Sequence, residues 1–271
     1  MNGLEHINET FDHLSAQHRT ALMPYFTLGF PTPAESLAVV DALAHSGADL
    51  IELGVPFSDP LADGPTIQHS TQIALAQGMT VSRCLELVAQ IRARGVRQPL
   101  MLMGYINPIL AFGVERYASA VREAGADGLI VPDLPLEEAA EVEAACQANG
   151  LALVYLVSPE STPERVAALA AHTAGFLYLV ALTGVTGARS ELSPDLAGFV
   201  ARVRAVACTP LAVGFGISNP AQAKAVSGLA DGVIIGSALV NAADHSADPA
   251  AGASSFLTPV RAALDAEHSG R

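Results

Sequence analysis

Eight short runs of branched and aromatic apolar residues recur at a nearly constant interval, and this recurrence constrains the fold more than any other feature. They span Leu22–Leu28, Asp49–Val55, Pro99–Tyr105, Gly128–Val131, Leu151–Ser158, Phe176–Leu182, Pro210–Phe215 and Gly232–Ile235. Their starts run from residue 22 to residue 232, about 30 residues per repeat, which is the length of one β-α unit. Most are continuously apolar rather than alternating, as expected of parallel strands covered on both faces. Helical patterns lie between them, at Pro33–Ser46, Val81–Arg94, Val114–Ala124, Leu136–Asn149, Pro163–His172, Pro194–Val206 and Pro220–Ser227. Several open at Pro, Ser, Thr or Asp and close at Gly47, Gly95, Gly125 or Gly150, the usual helix punctuation. An amphipathic stretch with Leu4, Ile7, Phe11 and Leu14 precedes the first strand. The pattern predicts an α/β fold, a (β/α)8 TIM barrel with an extra N-terminal helix, as a single domain over residues 1–271. The alternative at this level is an open doubly wound sheet.

Two segments depart from the repeat. Pro56–Gly78 reads as a long loop after the second strand, stiffened by Pro56, Pro60 and Pro65, and loops of that length are usually functional. Asn241–Ser255, rich in Ala, Asp and Ser, reads as a mobile connection to a last helix at Phe256–Glu267. Composition then narrows the class. With 51% apolar and 15% charged residues the chain is not disordered. A net charge of −13 is the wrong sign for electrostatic nucleic-acid binding. No apolar run approaches a membrane span, no signal peptide is recognised, and the three cysteines show no metal-ligand spacing. A soluble cytoplasmic protein is the expectation.

The chemistry is expected where a barrel places it, at the C-terminal ends of the strands. In the second strand Ile51, Leu53 and Val55 share one face and Leu50, Glu52 and Gly54 the other. The wholly apolar face should meet the helices, which points Glu52 inward. No Lys or Arg occurs in any of the eight strands, so desolvation without a cationic partner should raise its pKa. The competing reading is a solvated carboxylate at the rim. Asp59 and Asp63 follow in the next loop, where each alone is an ordinary turn residue; beside Glu52 they offer a two-carboxylate site. Glycines end the later strands at Gly184–Gly187, Gly214–Gly216 and Gly236, with Ser237 following. Three such loops suit a phosphate held by backbone N–H groups, although each alone suits a turn. Lys224, the only lysine, falls mid-helix, which speaks against a Schiff base, and no histidine falls at a strand end, which speaks against a metal site. What remains is acid/base chemistry on a small phosphorylated molecule.

The run Glu52-Leu-Gly-Val-Pro-Phe-Ser-Asp-Pro-Leu-Ala-Asp-Gly-Pro-Thr-Ile-Gln68 closely resembles the signature of the tryptophan synthase alpha chain family. The resemblance continues through Pro24–Gly29, Thr183–Gly187, Gly214–Ser218 and Gly236–Ala238, in the family's order. It implies that Glu52 and Asp63 are the catalytic pair. It implies substrate contacts from Tyr105, Tyr178, Thr186, Gly187, Phe215, Gly216, Gly236 and Ser237, with Phe215 packing on indole and Gly216, Gly236 and Ser237 on phosphate. Asp59, Pro60 and Asn107 match positions that face the beta chain. Leu182 stands where some members carry Arg, and Tyr25 where some carry Phe.

The reaction so implied is the retro-aldol cleavage of indole-3-glycerol phosphate to indole and glyceraldehyde 3-phosphate. The resemblance also implies an alpha2beta2 complex with a beta chain. This chain would need no cofactor and no metal, pyridoxal phosphate belonging to the beta partner. Thr186 is expected to close over the mouth and bond Asp63 when the beta chain is bound. Two other readings stand beside this one: a free-standing indole-releasing lyase, and a non-catalytic phosphate-binding subunit that activates a partner. An assay of the isolated chain separates them.

Overall fold

A computed structural model describes residues 2–180, 195–214 and 216–266. Nine parallel strand segments form one sheet: β1 (Ala21–Thr27), β2 (Ile51–Gly54), β3 (Leu100–Met103), β4 (Gly128–Ile130), β5 (Ala152–Val154), β6 (Leu156–Val157), β7 (Leu177–Val180), β8 (Leu211–Gly214) and β9 (Gly232–Ile235). Their spatial order is β5-β4-β3-β2-β1-β9-β8-β7-β6. The two ends of that order, β5 and β6, are consecutive halves of one predicted strand, interrupted at Tyr155. Leu153 pairs with Leu129 on one side and Leu156 with Tyr178 on the other, so this strand closes the barrel. The eightfold repeat therefore encodes a barrel rather than an open sheet, and all residues of β1, β2, β3, β8 and β9 are buried.

Among the described residues twelve α-helices accompany the strands: α1 (Gly3–Ala16), α2 (Pro33–His45), α3 (Pro65–Ala76), α4 (Val81–Ala93), α5 (Ile106–Phe112), α6 (Val114–Ala124), α7 (Ala140–Ala148), α8 (Pro163–His172), α9 (Leu196–Arg204), α10 (Pro220–Ser227), α11 (Ser237–Asp244) and α12 (Pro249–Asp265). Apolar spacing explains the predicted ones; in α6, Val114, Tyr117, Ala118 and Val121 make one buried stripe. Gly47, Gly95, Gly125 and Gly150 all take positive φ at helix ends, as their positions predicted. The N-terminal helix α1 is closed by an Asn2/Glu5 capping box and buries Ile7, Phe11 and Leu14. Phe11 meets Phe176 with ring centroids 5.7 Å apart, at the entrance to β7 and opposite the end where catalysis is expected.

The structure corrects two readings. Residues 65–76 of the expected loop are helix α3, begun by Pro65 at the first turn after Gly64. Its buried face is Ile67, Ser70, Thr71 and Ala74, so two hydroxyl residues mask an otherwise helical period. The expected mobile connection over 241–255 is instead the end of α11 and the first part of α12. Asp248 caps α12 by accepting from the Ala250 and Ala251 N–H groups at 3.0 and 3.1 Å. The small residues that looked like a linker allow close packing: a side chain at Gly252 would meet the Ala242 carbonyl of α11. The short helix α5 was not anticipated either.

Candidate active site

Alternation along β2 places Ile51 and Leu53 outward and Glu52 and Gly54 into the barrel. Glu52 is fully buried, and neither carboxyl oxygen has a hydrogen-bond partner among the described residues. Desolvation pushes its pKa up to about 8. The rim alternative is thereby excluded, and the inward, desolvated carboxyl expected from the strand pattern is what the structure holds. Two phenols flank it. Tyr25 arrives from β1, directly opposite Glu52 in the strand register, and Tyr178 from β7. Both depend on glycine: a Cβ on Gly54 would collide with the Tyr25 hydroxyl, and one on Gly214 with the Tyr178 hydroxyl. Burial raises both phenols well above their ordinary range, so they remain protonated.

Asp63 is carried to the same cavity by the segment between β2 and α3. Its N–H donates to the Pro60 carbonyl at 3.1 Å, and Gln68 of α3 donates to its carbonyl oxygen at 2.9 Å. Tyr105, after β3, accepts from the Ala62 N–H at 3.1 Å and hydrogen-bonds the Asp63 carboxyl. Phe57 packs on Tyr105 with ring centroids 5.5 Å apart. Desolvation pushes the Asp63 pKa up to about 6, against the opposing effect of the Tyr105 hydroxyl. Two carboxyls thus share one cavity in different states near neutrality, Glu52 mostly protonated and Asp63 mostly ionised.

The cavity, counted together with its mouth to solvent, takes in about 620 Å³. Opposite the carboxyls it is closed by Gly216, Ser218, Gly236, Ser237 and Ala238. Gly216 takes φ +87°, a left-handed conformation that favours glycine. The Ser218 N–H and hydroxyl both donate to Gln222 Oε1, at 2.8 and 3.0 Å, fixing the loop after β8. Gly236 precedes α11 and offers no side-chain cap, so the first N–H groups of that helix are left for a ligand on the cavity wall. That geometry suits an anion. Among the described residues no cluster of His, Cys, Asp or Glu could hold a metal ion. Lys224 lies exposed on α10, away from the cavity.

Of the residues singled out in the sequence, Glu52, Asp63, Tyr178, Gly216, Gly236 and Ser237 line this cavity, with Tyr105 behind Asp63. Asp59 and Asn107 are exposed and Pro60 is half-buried, on segments beyond the strand ends. Thr186, Gly187, Leu182 and Phe215 lie outside the described residues. The apolar wall formed by Ile67, Met103, Ile217 and Ile234 was missed. Strand phase could have found Ile234 and Met103; Ile67 required recognising α3.

Comparisons with known proteins converge on one family. The family model described as tryptophan synthase alpha chain matches residues 11–265. The chain is 48% identical to the tryptophan synthase alpha chain of Chloroflexus aggregans over 267 residues, covering 98% of this chain and 100% of that one. It is 53% identical to that of a Roseiflexus species, covering 88% and 91%. Among solved structures, the alpha subunit of Legionella pneumophila tryptophan synthase superposes with a TM-score of 0.90 at 39% identity, covering 98% and 99%. A chain of Mycobacterium tuberculosis tryptophan synthase superposes with a TM-score of 0.88 at 40% identity, covering 95% and 97%.

Proposed function

The chain belongs to the tryptophan synthase alpha chain family, lyases of tryptophan biosynthesis that cleave indole-3-glycerol phosphate, and from that premise we propose how its own residues carry the reaction. Glu52 is the acid and base. Its protonated carboxyl delivers a proton to indole C3, and the resulting carboxylate takes the proton of the adjacent glycerol hydroxyl as the carbon–carbon bond breaks. Indole and glyceraldehyde 3-phosphate leave, and Glu52 is again protonated. Asp63, ionised, accepts the indole N–H hydrogen bond and stabilises the positive charge that grows on the ring when C3 is protonated. Tyr105 keeps the Asp63 carboxyl in place, and Tyr178 bounds the substrate beside Glu52.

The phosphate is assigned to Gly216, Gly236, Ser237 and the α11 N-terminus, with Phe215, Thr186 and Gly187 as further substrate contacts by resemblance. Proton transfers complete this scheme without a cofactor on this chain; pyridoxal phosphate is the beta partner's. We assign the chain to the cytoplasm and to an alpha2beta2 complex. Asp59, Pro60 and Asn107 form the docking edge, beside the exposed apolar side chains Leu61 and Leu110, and that edge favours partnership over a free-standing lyase.

The observation that carries the reading is the pair of carboxyls lining one cavity, Glu52 fully buried and without a hydrogen-bond partner among the described residues, with burial raising the pKa of both. Replacing Glu52 by Gln keeps the shape and removes the proton. Lyase turnover of the full chain should fall by about 10²–10⁴, the usual worth of an acid/base group, while circular dichroism stays unchanged. A Glu52→Gln enzyme within a few-fold of wild type would refute the assignment of Glu52, whereas a wild-type chain without lyase turnover would leave the phosphate-binding subunit as the better reading.

A further inference from the structure

The wall beside Glu52 carries polar groups that this mechanism does not use. The Tyr25 hydroxyl lies over Gly54, on the inward face of β2 one step beyond Glu52. Behind it, two buried hydroxyls lead away from the cavity. Tyr25 Oη is 3.4 Å from Thr27 Oγ1, Thr27 Oγ1 is 2.7 Å from Ser70 Oγ on α3, and Ser70 Oγ donates to the Ile67 carbonyl at 2.9 Å. Each hydroxyl has a single proton, so the last bond sets the direction of the whole chain. The carbonyl can only accept, which takes the Ser70 proton. With all three bonds made at once, Thr27 donates to Ser70 and Tyr25 donates to Thr27, the last across a long 3.4 Å contact.

We propose that Thr27 and Ser70 are positioning residues for the lyase reaction, engaging the Tyr25 hydroxyl proton so that it is not presented to Glu52 and no phenol donor stabilises the ionised carboxyl. The proposal rests on the reading of Glu52 as the acid. Oxygen lone pairs facing a carboxyl favour its protonated form, whereas a hydroxyl proton facing it favours the carboxylate. A phenol proton lies in the ring plane with two orientations. Thr27 selects one, and without it the other becomes available toward the cavity. The other ionisable groups facing Glu52 are Tyr178 from β7 and Asp63 from the segment before α3, with Tyr105 against Asp63. Neither Thr27 nor Ser70 is among the residues lining the cavity, so replacing them leaves those neighbours in place.

The test is an infrared titration of the Glu52 carboxyl band in the full-length protein, with Glu52→Gln identifying the band, alongside the pH profile of kcat. Thr27→Val should lower the Glu52 midpoint by about one pH unit, a tenfold weaker hold on the proton, and move the alkaline limb of kcat with it. Thr27→Ser, which restores the hydroxyl, should keep the wild-type midpoint. In a Tyr25→Phe background, Thr27→Val should have no further effect. Ser70→Ala, which frees the Thr27 proton, should shift the midpoint in the same direction and serves if Thr27→Val does not fold. An unmoved midpoint, or an equal shift in the Tyr25→Phe background, overturns the relay. The infrared signal needs no turnover. A shifted band in a chain without lyase activity would sink the catalytic reading and leave the relay standing.

Discussion

At the scale of single residues, the site places an inward carboxyl in a barrel whose strands supply no cation. The role proposed for Glu52 rests on its discomfort: burial without a hydrogen-bond partner among the described residues raises its pKa into the range where an ordinary glutamate is ionised. Turnover should require Asp63 ionised and Glu52 protonated, so kcat should be bell-shaped in pH, with apparent values near 6 and 8 that belong to the coupled pair. Stopped assays across that range would check it, and Glu52→Gln should lose the alkaline limb from its residual rate. The same burial has a stability signature. Burial pushes the folded-state pKa of Glu52 up to about 8, from about 4.5 for an ordinary glutamate. Below the lower value both states hold the proton and there is no penalty. Between the two values the native state alone holds it, so stability falls as pH rises, and above the upper value the loss is complete. Glu52→Gln should therefore be more stable than wild type near pH 9, on the order of a few kcal/mol, and nearly equal to it near pH 4. Urea denaturation at the two pH values would show it. Equal stabilities at both would mean that Glu52 is solvated in solution.

At the scale of elements, the proposed phosphate site rests on α11. Its N-terminus carries no side-chain cap, and the space over Gly236 is open enough that an added Cβ would meet only the Tyr25 side chain, at 3.6 Å. Gly236→Ala should therefore fold and bind glycerol phosphates with little loss. Gly236→Asp adds a negative charge where the anion belongs and should weaken that binding by at least about tenfold. Calorimetry with glycerol 3-phosphate compares the two, and equal affinities would move the phosphate site elsewhere. Which elements were legible followed from their chemistry. The apolar stripe of α6 and the capped repeats of α8 and α10 were read to the residue, because burial of one face dictates their period. Helix α3 was not, since Ser70 and Thr71 stand where apolar residues would mark its buried face. The start of α12 was hidden because alanines pack closely without announcing a core.

At the scale of the whole molecule, the proposed partnership concerns the C-terminal face of the barrel. Leu61 is 86% exposed and Leu110 53%, on either side of the edge formed by Asp59, Pro60 and Asn107. A beta chain seated there would hold the segment that carries Asp63 and favour the ordered site, to the extent that it binds that state more tightly. Titrating the chain with a beta chain should raise the rate of indole release to a plateau. Leu61→Asp should shift the titration to higher beta-chain concentration without changing the rate of the free chain. A rate unmoved by saturating partner would favour the free-standing lyase.

Taken as sequence alone, the chain already determined its barrel, the inward face of Glu52 and the glycine loops. Those properties follow from periodicity and backbone freedom, which are local. Sequence could not decide that Glu52 lacks any hydrogen-bond partner among the described residues, that Tyr105 grips Asp63 across a gap of 42 residues, or that Tyr25 and Tyr178 meet at one carboxyl from β1 and β7. Nor could it orient the hydroxyls of Tyr25, Thr27 and Ser70, whose direction comes from a carbonyl on a helix that the pattern concealed. These are consequences of closing the barrel. Closure brings the ends of distant strands within reach, excludes water from between them, and so creates the proton affinities on which the chemistry depends.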